Sequence, residues 1–382
     1  MRVLVAPDSL KGSLAAADAA EAIAAGWRSA RPGDELVRMP MADGGEGTVA
    51  AIAATRPDGR LRTADVVGPG AERVRAHWLE LPDGTAVVEL AQSSGLPLLA
   101  RPDPLGAHTR GLGETIAAAL DAGAQRVVIG LGGSASTDGG AGMLSALGAR
   151  FLDERGRDLP LGGAALGRLE VVDLAGLRAA PAGGVLCLSD VTSPLLGPDG
   201  AAPVFGPQKG ADADQVRVLE AGLRRLSQVV GDDGSRPGDG AAGGTGYGLR
   251  ALWGAELHPG AARTAGLVGV DDEVERADLV ITGEGRLDRT SLRGKVVGHL
   301  VDRARAVGVP VVVIAGQAEA GVLDGRHGAH VITLADLAGG ADAAIADPRR
   351  WLEAAGAAAS GVAAAIASSG EPAPGGRGNA SR

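Results

Sequence analysis

Short apolar strand, glycine-punctuated polar loop and Ala-rich helix follow one another repeatedly along this chain. Residues 2–6 read as a buried strand that runs through APDSLKGS into a helix expected over 13–29. Residues 36–39 and a helix over 48–55 repeat the unit. It returns toward the other end, with strands at 279–282, 311–316 and 330–334 and a helix over 296–306. Strands this short and this uniformly apolar suit a parallel sheet covered on both faces. Composition points the same way: 45% of residues are apolar but only 2% aromatic, so the core must be Val, Leu, Ile and Ala.

Between about residues 60 and 92 the style changes to alternating segments, RLRTADVV, RVRAHWLEL and TAVVEL, separated by Pro-Gly and Asp-Gly turns. These read as antiparallel or mixed strands. Helices are expected over 111–121, 139–147, 212–229 and 245–252, and strands over 126–130 and 184–188. The expected fold is α/β in two domains. A doubly wound, Rossmann-like parallel sheet is built from both chain ends, residues 1–60 and 266–368, and 61–265 form an inserted α/β domain with a mixed sheet. Residues 369–382, polar and rich in Pro and Gly, are expected to be a disordered tail.

The net charge of −9 and pI near 5.3 leave no basic stripe for nucleic acid or a membrane surface. Cys187 is the single cysteine, so no internal disulfide can form. With no charged leader before the first strand and no long apolar span, a cytoplasmic location is expected. Oligomeric state is not encoded legibly, and a homodimer stays open.

Only three lysines, Lys11, Lys209 and Lys295, stand against 34 arginines. Each falls in a glycine-rich string, and in so Arg-biased a chain a surviving lysine marks a place where a compact ammonium is needed and a planar guanidinium would not fit, phosphate handling being the commonest such need. APDSLKGS places Asp8, Ser9 and Lys11 at the carboxyl end of a strand, where open α/β sheets collect ligands. Asp8 or Ser9 could instead cap the following helix. MADGGEGT brings Asp43 and Glu46 to the same edge, fit for a hydroxylated substrate or hydrated Mg²⁺ or, alternatively, for a helix cap with Glu46 as capping-box partner. GLGGSASTDGGAG offers backbone amides and hydroxyls to phosphate oxygens and ends in Asp138. LSDVTSPLLG sets Asp190 at a strand end, and VFGPQKGA carries Lys209. An acid to orient and deprotonate an alcohol beside a lysine that offsets phosphoryl charge is what phosphoryl transfer needs. A structural ion pair is the plainer reading of those two residues. ITGEGRLDRTSLRGKV adds Glu284, Asp288 and Lys295.

In this order, APDSLKGS, ADGGEGT, AQSSGL, GLGGSASTDGGAGM, DVTSPLLG, VFGPQKGA, AAGGTGYGL and LVITGEGRLD closely resemble the bacterial type I glycerate kinase family. The resemblance covers essentially the whole chain up to about residue 368. It implies ATP-dependent phosphorylation of D-glycerate with Mg²⁺, usually at the 2-hydroxyl to give 2-phosphoglycerate. Alternatives are 3-hydroxyl chemistry, another small hydroxy acid, or a ligand sensor without catalysis. On the motif positions, Asp190, Lys11 and Lys209 are the expected catalytic residues. Asp8, Ser94, Asp138 and Glu284 are expected to bind substrate, and Asp43 and Glu46 the metal. Gly132, Gly133, Ser134, Gly283, Gly285 and Lys295 are expected to bind the nucleotide. These groups are expected to converge on one cleft.

Overall fold

The computed structural model of the chain describes residues 1–70, 72–324 and 328–369. The expected tail lies outside them, except Ser369, which ends the last helix. Two compact units divide the chain: Met1–Asp43 with Ala50–Arg56 and Ala261–Arg382, and Gly44–Val49 with Pro57–Gly260. Residues 44–49 thus go with the second unit, whereas the sequence reading grouped them with the first. Among the described residues, no helix is long and apolar enough to cross a membrane.

The first unit is built on five parallel strands in the order Ala329–Thr333, Val311–Ala318, Leu279–Leu287, Arg2–Val5 and Glu35–Arg38. Val3 stands opposite both Leu279 and Leu36, so the N-terminal strand lies inside the sheet. Val3, Val5, Ile281 and Ile314 pack into one core with Ile23 and Trp27 of the helix Ala16–Ala30 and with Ala355 and Ala359 of the helix Pro348–Ser369. The alternate residues Leu4, Val280 and Val313 are equally buried, so both faces are covered, as a doubly wound sheet requires. Those two helices approach closely because Gly26 and Gly356 lack side chains. A Cβ on Gly356 would lie 2.1 Å from the carbonyl oxygen of Ile23.

The second unit holds six strands in the order Glu256–His258, Val185–Leu188, Arg126–Gly130, Thr85–Glu89, Arg73–Glu80 and Arg60–Val67. The first four are mutually parallel and the last two antiparallel, the expected mixed sheet. Val88, Ile129 and Cys187 from the strands pack with Leu112, Ile116, Met143, Leu223 and Tyr247 from helices. A two-stranded pair, Arg150–Leu152 with Val171–Asp173, and the strand Glu256–His258 were not expected from sequence. Three residues are too few to display a period of two.

Candidate active site

Asp8, Ser9 and Lys11 follow the first strand in a loop fixed by backbone bonds. The Asp8 N–H donates to the Gly283 carbonyl at 2.8 Å, and Leu10 pairs with Leu14 across Gly12, whose φ is +75°. That turn delays the helix from the expected residue 13 to Ala16. Its N-cap is Ala15, with no side-chain cap. Asp8 and Ser9 are therefore released from capping and line a cavity of about 340 Å³ with Lys11, Asp43, Glu284 and Lys295. Gly285 and Asp288 also line it.

The electrostatics of this cavity favour a cation. Asp8 is only 7% exposed, and burial, reinforced by the adjacent Asp43 carboxylate, pushes its pKa up to about 7. Burial also raises Glu284, whose Oε1 has no hydrogen-bond partner among the described residues. The Lys11 ammonium lies 3.8 Å from Asp43 and is itself largely exposed, ready to meet an anion. Lys295, just before the helix Val296–Val307, stabilises the ionised forms of Glu284 and Asp288. Crowded carboxylates with a buried oxygen unsatisfied draw a proton or a metal ion. No three His, Cys, Asp or Glu side chains among the described residues form a ready-made metal cage. Mg²⁺ does not need one, because one or two carboxylates completed by water and phosphate oxygens suffice.

Gly283, expected to touch phosphate, is instead explained by strand packing. A Cβ there would sit 2.0 Å from the Ile314 carbonyl oxygen. Gly285, two residues on, reaches the cavity.

In the second unit, the Gly132 N–H donates to the Gly44 carbonyl at 3.1 Å and Leu131 to Leu188 at 3.2 Å. These bonds gather residues 44–49, the glycine-rich loop and the segment leading to Asp190 at the carboxyl ends of the strands Arg126–Gly130 and Val185–Leu188. Gly132, Gly133 and Ser134 form the accessible tip of the loop, with Gly133 at φ +76°. Asp190 is half-buried, and its Oδ1 accepts the Gly260 N–H at 2.9 Å. Glu46 is exposed, and the unit boundary falls between it and Asp43. The helix Thr48–Thr55 is capped from elsewhere: Glu89, buried at the end of the strand Thr85–Glu89, accepts the Gly47 and Val49 N–H groups at 2.9 and 3.1 Å. Sequence reasoning missed Glu89. The available signal was an acid closing an otherwise apolar strand.

Asp138, expected to bind substrate, and Lys209, expected to be catalytic, are instead buried supports of the glycine-rich loop. Asp138 is fully buried and accepts the Thr109 N–H and hydroxyl and the Gly140 and Gly142 N–H groups, all within 3.2 Å. Three of these bonds fall on Oδ2 and one on Oδ1, so both carboxylate oxygens are engaged within the protein. Asp138 therefore fixes the loop. Lys209 is 2% exposed and donates to the Ser136 carbonyl, and burial lowers its pKa to about 7. An ammonium so enclosed braces the glycine-rich loop from inside. Ser94 is also buried; its carbonyl accepts the Ala135 N–H at 2.9 Å, and its Oγ has no partner among the described residues.

A model of the glycerate kinase family matches residues 3–364. A Bacillus subtilis glycerate kinase is 45% identical over 325 residues, which span 83% of this chain and 85% of that protein. An Escherichia coli glycerate 2-kinase is 43% identical over 326 residues, again spanning 83% of this chain and 85% of the relative. A crystal structure of a chain described as glycerate kinase 2 from Salmonella typhimurium LT2 matches with a TM-score of 0.81 at 38% identity, covering 97% of this chain and 99% of that one.

Proposed function

This chain belongs to the glycerate kinase family, and from that premise we propose that it phosphorylates D-glycerate with ATP at the 2-hydroxyl, yielding 2-phosphoglycerate and ADP. The observation that carries the reading is the cavity at the carboxyl edge of the parallel sheet, where Asp8, Asp43 and Glu284 meet Lys11 and Lys295.

ATP supplies the phosphoryl group, and Mg²⁺ supplies positive charge against it. Asp43 and Glu46 are the carboxylates we assign to the metal. Lys11 and Lys295 offset charge on the phosphates, and the amides of Gly285 and of the Gly132–Ser134 tip contact phosphate oxygens. Glu284, through its unsatisfied Oε1, and Asp8 orient the substrate hydroxyls. Asp190 accepts the hydroxyl proton as the oxygen–phosphorus bond forms and the bond to the leaving ADP breaks. Lys209, Asp138 and Ser94 act by holding the glycine-rich loop in shape.

One observation favours a second assignment of the base. Asp8 lines the cavity and has its pKa raised to about 7, near the value at which a general base works best at neutral pH. Loss of a general base costs about a hundredfold or more in turnover. Asp190→Asn and Asp8→Asn, compared in a coupled assay of ADP formation, decide between the two: the base is the one whose replacement lowers kcat by that amount with little change in ATP binding. The same assay on the unaltered protein must require both glycerate and Mg²⁺. ADP formation without glycerate dependence refutes the reading, and phosphorus NMR of the product separates 2-phosphoglycerate from 3-phosphoglycerate. We also place the enzyme in the cytoplasm.

A further inference from the structure

The lining of the cavity on the first unit divides by strand order: acids and lysines follow the strands Arg2–Val5, Glu35–Arg38 and Leu279–Leu287, and apolar side chains follow the edge strand Ala329–Thr333, with Val311–Ala318 between. Its charged end holds the acids and lysines described above. Its other end is apolar and is walled by Leu334, Ala341, Ala344, Ile345 and Pro348, from the short helices after the strand Ala329–Thr333 and the start of the last helix. A three-carbon acid bearing a carboxylate and hydroxyls has nothing to place there. Ile345 is 64% exposed, the most exposed of the large hydrophobic side chains among the described residues. The fold does not bury it, although Ala344 beside it is 4% exposed. Between the two ends stands Gln317, an exposed amide near the end of the strand Val311–Ala318, paired in register with Arg286.

We infer that the apolar end seats the adenine base of ATP, with a face of the ring against Ile345 and Pro348 and its polar edge within reach of the Gln317 amide. The inference rests on the reading of the chain as an ATP-dependent kinase. The cavity volume of about 340 Å³ is in the range that accepts a ligand of drug or nucleotide size. Its polarity follows the same sequence as a nucleotide, an apolar ring at one end and phosphates at the other. An amide carries both a donor and an acceptor, which suits the paired donor and acceptor on the edge of adenine. Ile345 and Gln317 are thereby nucleotide-selecting residues, separate from the groups that handle the phosphoryl.

The test is equilibrium binding without glycerate: titration with a fluorescent ribose-labelled ATP in the presence of Mg²⁺, with ATP, GTP and inorganic tripolyphosphate as competitors. The unaltered protein should bind ATP more tightly than tripolyphosphate. Ile345→Asp should weaken ATP at least tenfold and leave tripolyphosphate within twofold, because only the base has lost its seat. Gln317→Ala should narrow the preference for ATP over GTP. An Ile345→Asp protein that binds ATP normally, or that loses ATP and tripolyphosphate equally, overturns the inference. Circular dichroism and urea unfolding show that each variant is folded, and Ile345→Gln, a milder change at the same rim, must likewise weaken ATP more than tripolyphosphate or the inference falls. These results are independent of the glycerate assay. Failure to phosphorylate glycerate would remove the proposed reaction without touching a base-selective result, and an active kinase indifferent to residue 345 would remove only the base seat.

Discussion

Lys209 gives the sharpest physical test of the second unit. Its ammonium is fully enclosed against the Ser136 carbonyl, and burial lowers its pKa from 10.5 to about 7, with Asp138 pulling weakly the other way. A base whose folded pKa is depressed contributes stability that is fully present above its unfolded pKa and is lost as pH falls toward the folded value. Between about pH 7 and pH 9.5 the unfolded chain keeps this proton and the folded chain releases it. At about 1.4 kcal/mol per pH unit, the lysine alone should make the folded state about 3 kcal/mol more stable at the upper end. Lys209→Met removes that dependence. The hydrogen bond it sacrifices is worth only about 1 kcal/mol net, so the variant should equal or exceed the wild type at pH 7 and fall behind it by pH 9.5. Urea unfolding of both proteins across this range is the assay. Cys187, whose thiol burial pushes well above this window, ionises here only in the unfolded chain and does so equally in both proteins, so the difference between the curves isolates the lysine. Parallel curves would refute the reasoning and mean that the ammonium is solvated.

Three further outcomes can be checked. Asp8, held at about 7 by burial and by Asp43, contributes stability that is present below about pH 4 and lost as pH rises through 7; Asp8→Asn should flatten that decline in urea unfolding measured from pH 5 to 8. Arg250 makes paired contacts with Asp232 and with Asp239, which is fully buried, and Tyr247 donates its hydroxyl to the Asp232 carbonyl. Arg250→Ala would leave the Asp239 charge uncompensated and should cost about 3–5 kcal/mol of unfolding free energy. Asp190→Asn should lower kcat about a hundredfold or more in the coupled assay, unless Asp8 is the base.

Much of the architecture was legible because it rests on local signals. The helix Thr48–Thr55 and the strand Arg126–Gly130 have the expected bounds, and LVIT and VVVIAG form central strands of a parallel sheet. The misplacements have tertiary causes. The expected helix over 245–252 belongs to a longer element, Ala241–Trp253, interrupted by left-handed backbone at Ala242, Gly243 and Gly244. Close packing requires this: a Cβ on Gly243 would meet the Ser136 carbonyl oxygen at 2.1 Å and Lys209 Nζ at 2.9 Å.

In the candidate site, the loops after the strands announced their acids and lysines, because glycine-rich turns at strand ends are readable as local sequence. Which side chains face a cavity and which turn inward is decided by partners distant in the chain. Asp138 is satisfied by Thr109, twenty-nine residues away, and Glu89 caps a helix forty residues before it. Lys11 and Lys209 look alike as sequence, each beside a glycine. One is exposed beside Asp43, and the other is sealed against a backbone carbonyl.

The central claim is that the acid-and-lysine cavity of the first unit holds the groups that offset charge on the transferring phosphoryl. Single-turnover transfer from labelled ATP to D-glycerate, compared between the wild type and Lys11→Met, tests it most directly. Lys11 is exposed, so its removal leaves the fold intact, and loss of one charge-stabilising group at a reacting centre costs about a hundredfold to a thousandfold. The account predicts a loss of that size in the transfer rate; a Lys11→Met protein that transfers phosphoryl within twofold of the wild-type rate would contradict it.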